Sequence, residues 1–343
     1  MSLARAIETG DLAELPSRRD EDWRWSDIRA LVRVLPAASP AFAGDLEPGP
    51  FDELAEEIVE IVNGRGPAKI TVADGEKRAV ALRYVATDAG SHASRFAVRL
   101  GAGSELVLFE SHQGEGGYVT EADLAITLGQ GARLERIVLA SDGEEAIVVS
   151  RAKVELSPAA RFAQTVVTNG ARRQRLETRV AHQGGGASTR LDGLYLMAGK
   201  RHGDITTVVI HESPDGTTDQ LTKGVATDQG RGVFQGRIEV RPGADRTDAR
   251  MGHHALVLSD RAEVDAKPEL EIYADDVSCS HGNTVGALDD EALFYARQRG
   301  IPEAAARAML TEAFLGAVID RIEHEGAREA VRGFVARHTA DLT

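Results

Sequence analysis

Val98-Arg99-Leu100-Gly101-Ala102-Gly103 returns 28 residues later as Ile126-Thr127-Leu128-Gly129-Gln130-Gly131, and again as Val154-Glu155-Leu156-Ser157-Pro158-Ala159. A fourth copy, Val180-Ala181-His182 followed by Gly184-Gly185-Gly186, carries one extra residue. The turn positions 103, 131, 159 and 186 are therefore 28, 28 and 27 residues apart, and a later copy ending at Gly243 lies 57 beyond 186, about two periods. A period of that size marks a stacked repeat, and short alternating strands with a small residue at each corner favour a coiled all-β stack over a helical solenoid. Within the runs the apolar residues alternate, as at Leu124, Ile126 and Leu128 or at Val208 and Ile210, so one face is buried and the other meets water. One coil cannot bury its inward face alone, which predicts several coils and a cap at each end. On this reading the stack buries its own apolar face, so a chain cut after Gly286 keeps a soluble β core. A β-sandwich is the competing fold, because strand counting does not separate coiled from meandering strands.

Working outward, the chain to about Leu35 reads as helical, with Trp23, Ile28, Leu31 and Val32 as its apolar stripe, and 36–50 as a Pro-rich linker. At the other end Asp289 is a helix N-cap for residues 290–299 and Gly300 a stop. Pro302 opens a longer helix with Leu310, Phe314, Val318 and Ile322 every four residues, ending near Gly326, and a third helix follows over 327–338. The expected organisation is 1–50, N-terminal helical segment and linker; 51–286, β core; 287–343, C-terminal helical domain.

Composition narrows the function. A net charge of -14 argues against a phosphate-tracking surface and hence against nucleic acid as partner. A single cysteine permits no internal disulfide, no basic-then-apolar leader follows Met1, and no apolar run reaches the roughly 18 residues of a membrane helix. The expectation is a soluble cytoplasmic protein, with no membrane association. Residues 193–200 superficially suggest a phosphate loop, but five residues rather than four separate Gly193 from Gly199, and Arg201 stands where Ser or Thr would hold magnesium. No ATP hydrolysis is expected.

The lone cysteine falls in Lys267-Pro268-Glu269-Leu270-Glu271-Ile272-Tyr273-Ala274-Asp275-Asp276-Val277-Ser278-Cys279-Ser280-His281-Gly282. If 270–280 is one strand, Cys279 and His281 leave the same face, with Asp275 on that face and Asp276 on the other. A thiolate and an imidazole are half of the four ligands that a zinc site or an iron-sulfur cluster takes. From the residues alone, a small buried hydrophobe at Cys279 and a satisfied polar group at His281 are the slightly favoured alternatives. Asp275 and Asp276 read as solvated or paired with arginines, and His202, His211 and the pair His253-His254 as structural.

From Gly236 to Ile301 the chain resembles the SufB/SufD family of iron-sulfur cluster assembly proteins. The similarity runs through Gly236-Arg237-Ile238-Glu239-Val240, Arg246-Thr247-Asp248-Ala249-Arg250, Ala255-Leu256-Val257-Leu258-Ser259-Asp260, the segment just quoted, and Asp290-Glu291-Ala292-Leu293-Phe294-Tyr295 with Arg299-Gly300-Ile301. The wording Cys279-Ser280-His281-Gly282 is similar to the SufD branch rather than to SufB, as is Glu21-Asp22-Trp23-Arg24-Trp25-Ser26-Asp27-Ile28 near the start.

The resemblance implies a mainly β fold, a right-handed parallel β-helix core flanked by N-terminal and C-terminal helical segments. It implies a non-catalytic scaffold subunit for cluster biogenesis and iron acquisition, working with SufB-like and SufC-like proteins. His281, with Cys279 second, becomes a candidate metal ligand or proton acceptor at an interface, shared with the partner chain. A SufC-like ATPase is expected on the C-terminal helices, with Asp290, Glu291, Glu312 and Arg321 as docking residues. No cofactor is expected to stay on the chain alone; an iron-sulfur cluster forms transiently between SufB and SufD, and reduced flavin in the complex is admitted although no local motif supports it. Two alternatives are a homodimeric scaffold and a β-helix enzyme acting on carbohydrate.

Overall fold

A computed structural model describes residues 2–339 and 342. After a short helix α1 (Leu3–Thr9) and an irregular segment, the chain runs through β1 (Glu57–Val62), β2 (Lys69–Val72), β3 (Lys77–Ala86), β4 (Ser91–Leu100), β5 (Glu105–Gly114) and β6 (Val119–Leu128). It continues through β7 (Arg133–Ser141), β8 (Ile147–Leu156), β9 (Arg161–Thr168), β10 (Arg173–His182), β11 (Ser188–Met197) and β12 (His202–His211). The last strands are β13 (Thr217–Ala226), β14 (Arg231–Val240), β15 (Thr247–Val257), β16 (Glu263–Ile272) and β17 (Val277–Gly286). Helices α2 (Asp290–Gln298), α3 (Glu303–Ile319) and α4 (Glu325–Thr339) follow.

Odd strands form one parallel sheet of nine and even strands a second of eight, each strand pairing with those two before and two after it. This is the expected β-helix, a parallel solenoid of about eight coils with two strands per coil. The corner that the repeat marks is a left-handed residue: Gly75, Gly103, Gly131, Ala159, Gly186 and Asp215 all have φ between 56° and 69°. Their N–H groups form a ladder, each donating to a carbonyl in the corner of the next coil: Gly103 to Gln130, Gly131 to Pro158, Ala159 to Gly185, Gly186 to Pro214, all at 2.9–3.0 Å. Near Gly243 the corner is longer, and the rung passes instead to Arg246, at φ 57°, which donates to Asp276. Holding Ala159, Asp215 and Arg246 left-handed costs about 1 kcal/mol or more each, offset by the ladder bond each completes.

Between the sheets, Leu106, Leu108, Leu134, Phe162 and Leu191 from odd strands meet Leu124, Ile126, Val154, Val180 and Ile238 from even ones in one continuous core. Leu124, Ile126 and Leu128 point inward as expected. On β12 the inward residue is Val209, so Val208 and Ile210 lie on the outward side. The interior also holds charge: Arg136 donates to both oxygens of Glu110 at 2.7 and 2.8 Å, and His112 lies 2.7 Å from the same carboxylate. Burial pushes Glu110 upward, but Arg136 and His112 outweigh it and hold it near 2.

The flanking segments do not cap the ends of the stack. They cover its sides. On the outward face of the nine-stranded sheet, Phe109, Ile137, Leu139, Val167, Leu194 and Leu196 form a second apolar core with Leu315, Val318, Ile319, Ile322, Val331 and Phe334 of the C-terminal helices and turns. On the outward face of the eight-stranded sheet, Val119, Ile147 and Val149 are covered by Leu3, Ala6, Leu15, Ile28 and Val32.

Local expectations divide accordingly. Asp289 caps α2 through Glu291 and Ala292 N–H, and Gly300 is left-handed at φ 82°. The long helix expected to run to Gly326 stops at Ile319, and its fourth apolar residue, Ile322, lies in the turn before α4. The segment before Leu35 is helical only at 3–9, with 3-10 turns at Leu12–Glu14 and Glu21–Trp23, because its apolar residues follow the sheet they cover rather than a helical stripe. The competing sandwich is excluded by the all-parallel register.

The lateral core overturns the expectation that the β stack is self-sufficient. Cutting the chain after Gly286 strips the cover from Phe109, Ile137, Leu139, Leu194 and Leu196. Since full exposure of each large aliphatic or aromatic side chain costs about 1.5–3 kcal/mol, the truncated chain should bind a hydrophobic dye, self-associate and melt well below the full chain. A monodisperse product with unchanged melting temperature would refute this.

Candidate functional site

The expected single strand over 270–280 is two strands joined by a corner at Tyr273–Asp276. Asp275 and Asp276 sit in that corner, both exposed, so strand alternation does not assign their faces. The Asp276 carbonyl is instead the acceptor of the Arg246 rung, at 2.6 Å.

β16 and β17 form the last coil, and each is the edge of its sheet. Register places Cys279 beside Ala249 and His281 beside Met251. Ala249 and Met251 face the interior core, so Cys279 and His281 extend that inward row by one coil. Among the described residues no strand stacks beyond them. Cys279 is half-buried and packs with Leu270, Ala274 and Val277 on the end of the core, whereas His281 is exposed and its side chain has no polar partner among the described residues. Their Cα atoms are about 7 Å apart along one strand face. Burial pushes the Cys279 thiol upward, against a hydrogen bond with the Ala249 backbone, and the charge of Asp248 adds to the rise. The thiol therefore favours its protonated form until a cation or a partner's positive charge stabilises the thiolate. No group of three or more His, Cys, Asp or Glu side chains able to hold a metal occurs among the described residues. Exposed Ile272, Tyr273 and Val285 lie on the same last coil, giving the open end an apolar rim.

The histidines read as structural do hold the fold. His253 is fully buried, 3.0 Å from the Tyr195 hydroxyl and 2.7 Å from Asn283 Oδ1, and stacks on Phe234. It ties edge strand β17 to the interior, whereas His254 bonds Thr284 of the same strand on the outward, exposed face. His182 and His211, in contact with their rings tilted, bond Thr189 and Thr218. Asn283 was not singled out from sequence; its place after Gly282 reads as a turn, and only the register reveals its bond to His253.

The acidic-aromatic motif has a definite seat. Arg175, with no exposed surface, lies 4.5 Å under the Trp23 ring, ion-pairs with Asp204 (2.9 Å) and Glu177 (2.7 Å), and donates to the Asp22 carbonyl. Ser26 donates to the same Asp204, and His202 lies 3.0 Å from the Trp25 carbonyl. Glu21 reaches Lys267 of β16 at 2.7 Å, so the N-terminal segment is tethered to the last coil. Pro268 fits there because β16 is an edge strand with no further partner for the missing N–H.

Of the four residues expected for docking on the C-terminal helices, Asp290, Glu291 and Glu312 are exposed, beside solvent-facing Phe294, Tyr295 and Met309. Arg321 is not free. It ion-pairs with buried Asp192 (3.1 Å) and with Asp219 (2.7 Å), while Glu135 accepts from the N–H groups of Glu323 and His324 just before α4. Arg321 thus fastens the helical unit to the sheet. Burial pushes Asp192 up to about 7 even though Arg321 and Arg190 oppose the rise.

Residues 83–314 match the family model described as SUF system FeS cluster assembly, SufBD core domain. The chain belongs to the SufBD family. It is 32% identical to the iron-sulfur cluster assembly protein SufD of Escherichia coli, over 96% of this chain and 89% of that protein. An iron-sulfur cluster assembly SufBD family protein of Mycobacterium bovis is 27% identical, with 97% and 91% of the two chains covered. Protein ABCI7, chloroplastic, of Arabidopsis thaliana is 29% identical, over 84% of this chain and 64% of the relative. The chain is thus a SufD-like member of the iron-sulfur cluster assembly machinery, built on a parallel β-solenoid. No helix among its described residues is long and apolar enough to cross a membrane.

Buried histidines of this SufBD protein set its response to acid. Burial holds His211 and His253 near 4, and keeps His182 and His202 well below the ordinary value. In the unfolded chain each takes its proton near 6.5. Between about 6.5 and 4 the unfolded state therefore binds more protons, and stability falls as pH falls. Asp192, raised to about 7, acts oppositely, as do Glu121 and Glu135, also raised by burial, but these three are outnumbered by the four histidines together with His92, likewise held near 4. Melting temperature should drop progressively from pH 7 to 5, and His211→Gln should flatten that slope. A melting temperature independent of pH over this range would contradict the assignment.

Proposed function

We propose that the chain is a SufD-type, non-catalytic scaffold subunit acting in the cytoplasm beside a SufB-like chain and a SufC-like ATPase. The observation that carries this reading is the open last coil: His281 exposed, Cys279 half-buried, an apolar rim, and no third ligand grouped with them among the described residues. Parallel edge strands with unused backbone groups invite a second chain. A SufB-like partner pairing there would bury the rim and complete a ligand set of which this chain supplies two members. The His281 imidazole would serve as ligand or proton acceptor, and Cys279 would become a ligand when incoming iron stabilises its thiolate. The cluster is cargo, held during assembly and passed on. Reduced flavin belongs to the assembled complex if it takes part.

The ATPase would meet α2 and α3, where Asp290, Glu291, Phe294 and Tyr295 of α2 and Met309 and Glu312 of α3 are all exposed. Because Arg321, Asp192 and Glu135 fasten the turn before α4 to the middle of the nine-stranded sheet, a nucleotide-driven shift of these helices would pull on the solenoid itself. A second copy of the chain at the open end is the alternative, distinguished by size in the presence of a SufB-like chain.

His281→Ala removes an exposed side chain without polar partners, so folding and complex formation should be unchanged. Cluster yield by the complex reconstituted with SufB-like and SufC-like chains should fall several-fold, and Cys279→Ser should do less harm. Normal yield from a correctly assembled His281→Ala complex would refute the assigned role.

A further inference from the structure

On the outward face of the nine-stranded sheet, beside the turn carrying Glu323, lies a groove of about 830 Å³ that the proposed assembly role does not use. Its rim is a ladder of residues in register: Lys77, Glu105, Arg133, Arg161, Ser188 and Thr217. The first rung is an ion pair, Lys77 to Glu105 at 3.0 Å. The next two arginines have no such relief. Arg133 and Arg161 stand directly opposite each other on β7 and β9, both exposed, and among the described residues neither side chain makes an ion pair or hydrogen bond.

Parallel neighbours are about 4.8 Å apart, and like charges directly opposite are destabilising. Elsewhere this chain neutralises such rungs: where Lys153 faces Arg179, Glu155 and Glu177 pair with them at 2.8 and 2.5 Å. An arginine pair in which neither member makes an ion pair, and in which only Arg133 has a carboxylate, Glu105, opposite it in register, is unusual in a chain with net charge -14. One row further in, Ala163 leaves the floor low, and its neighbour Arg190 bonds Glu323 through Nη1 while its buried Nε and Nη2 have no hydrogen-bond acceptor. Arg190 Nε lies 3.3 Å from Asp192 and Nη2 3.9 Å from Glu135, both off hydrogen-bond geometry. Three guanidinium groups with unspent donors thus border one hollow. A planar guanidinium fork matches a carboxylate or phosphate, and the volume suits a small molecule.

We propose that this groove binds a small-molecule oxyanion, its phosphate or carboxylate group seated between Arg133 and Arg161 and the rest lying along Ser188 and Thr217. This site is independent of the open end and of the assembly role.

Titration calorimetry on the full chain at low salt, with inorganic pyrophosphate and with citrate as probes, tests it. Saturable binding of at least one probe, weakening as salt rises, is expected. Arg133→Gln/Arg161→Gln should lower that affinity about tenfold or more, the size of a lost charge-assisted hydrogen bond. Both side chains are exposed, so the variant's ligand-free melting temperature should be unchanged or raised, by relief of like-charge repulsion. Binding of pyrophosphate alone assigns a phosphate ligand and binding of citrate alone a carboxylate. No saturable heat with either probe, or wild-type affinity in a folded double variant, overturns the proposal.

Discussion

Everything in this molecule depends on coils stacking in register. Each coil places a left-handed residue at the same corner, and its N–H reaches the corner of the next coil, so backbone bonding along the strands continues around the bend. The arrangement demands a residue that tolerates positive φ once every 27 to 29 positions through Asp215, and glycine supplies four of the six. Register then dictates the rest. Inward residues stack on inward residues to form one core, and outward residues form rows that keep their chemistry over several coils.

A stack of this kind has two problems, its sides and its ends. The chain solves the first with its own termini. Helices α3 and α4 bury the outward apolar row of one sheet, and the N-terminal segment buries that of the other. Both attachments are also fixed by buried charge: Arg175 beneath Trp23 with Asp204 and Glu177, and Asp192 facing Arg321. Removing one partner of such a set strands the other without water, so these contacts specify where each segment sits more than they add net stability. At the C-terminal end no described strand covers the last coil. Its last coil exposes an edge in both sheets, and the only cysteine lies there. A surface that remains unfinished in one chain is where a second chain has something to add.

The sequence by itself determined the repeat, the strand class and the family. Its 28-residue spacing of small corner residues is a local signal, since left-handed backbone is required wherever the coil bends; alternation through Leu124, Ile126 and Leu128 is likewise local. Asp289 and Gly300 were legible as helix boundaries for the same reason: a cap is written within a few residues of the end it closes. Cys279 and His281 were legible as a pair on one strand face, because spacing of two is a property of the strand alone.

What the chain covers, and where it stops, was decided only in three dimensions. Val208 and Ile210 alternate as an inward pair would, yet lie outward, because alternation fixes which residues share a face and not which face is inside. Nothing near residue 321 reveals that Arg321 is spent on Asp192, over a hundred positions away, or that Glu135 holds the turn before α4. Trp23 as a lid on Arg175 and Asn283 as a tether for His253 are of the same kind. Periodicity counts residues along one strand, whereas burial, pairing and the open end are set by which strands and segments meet.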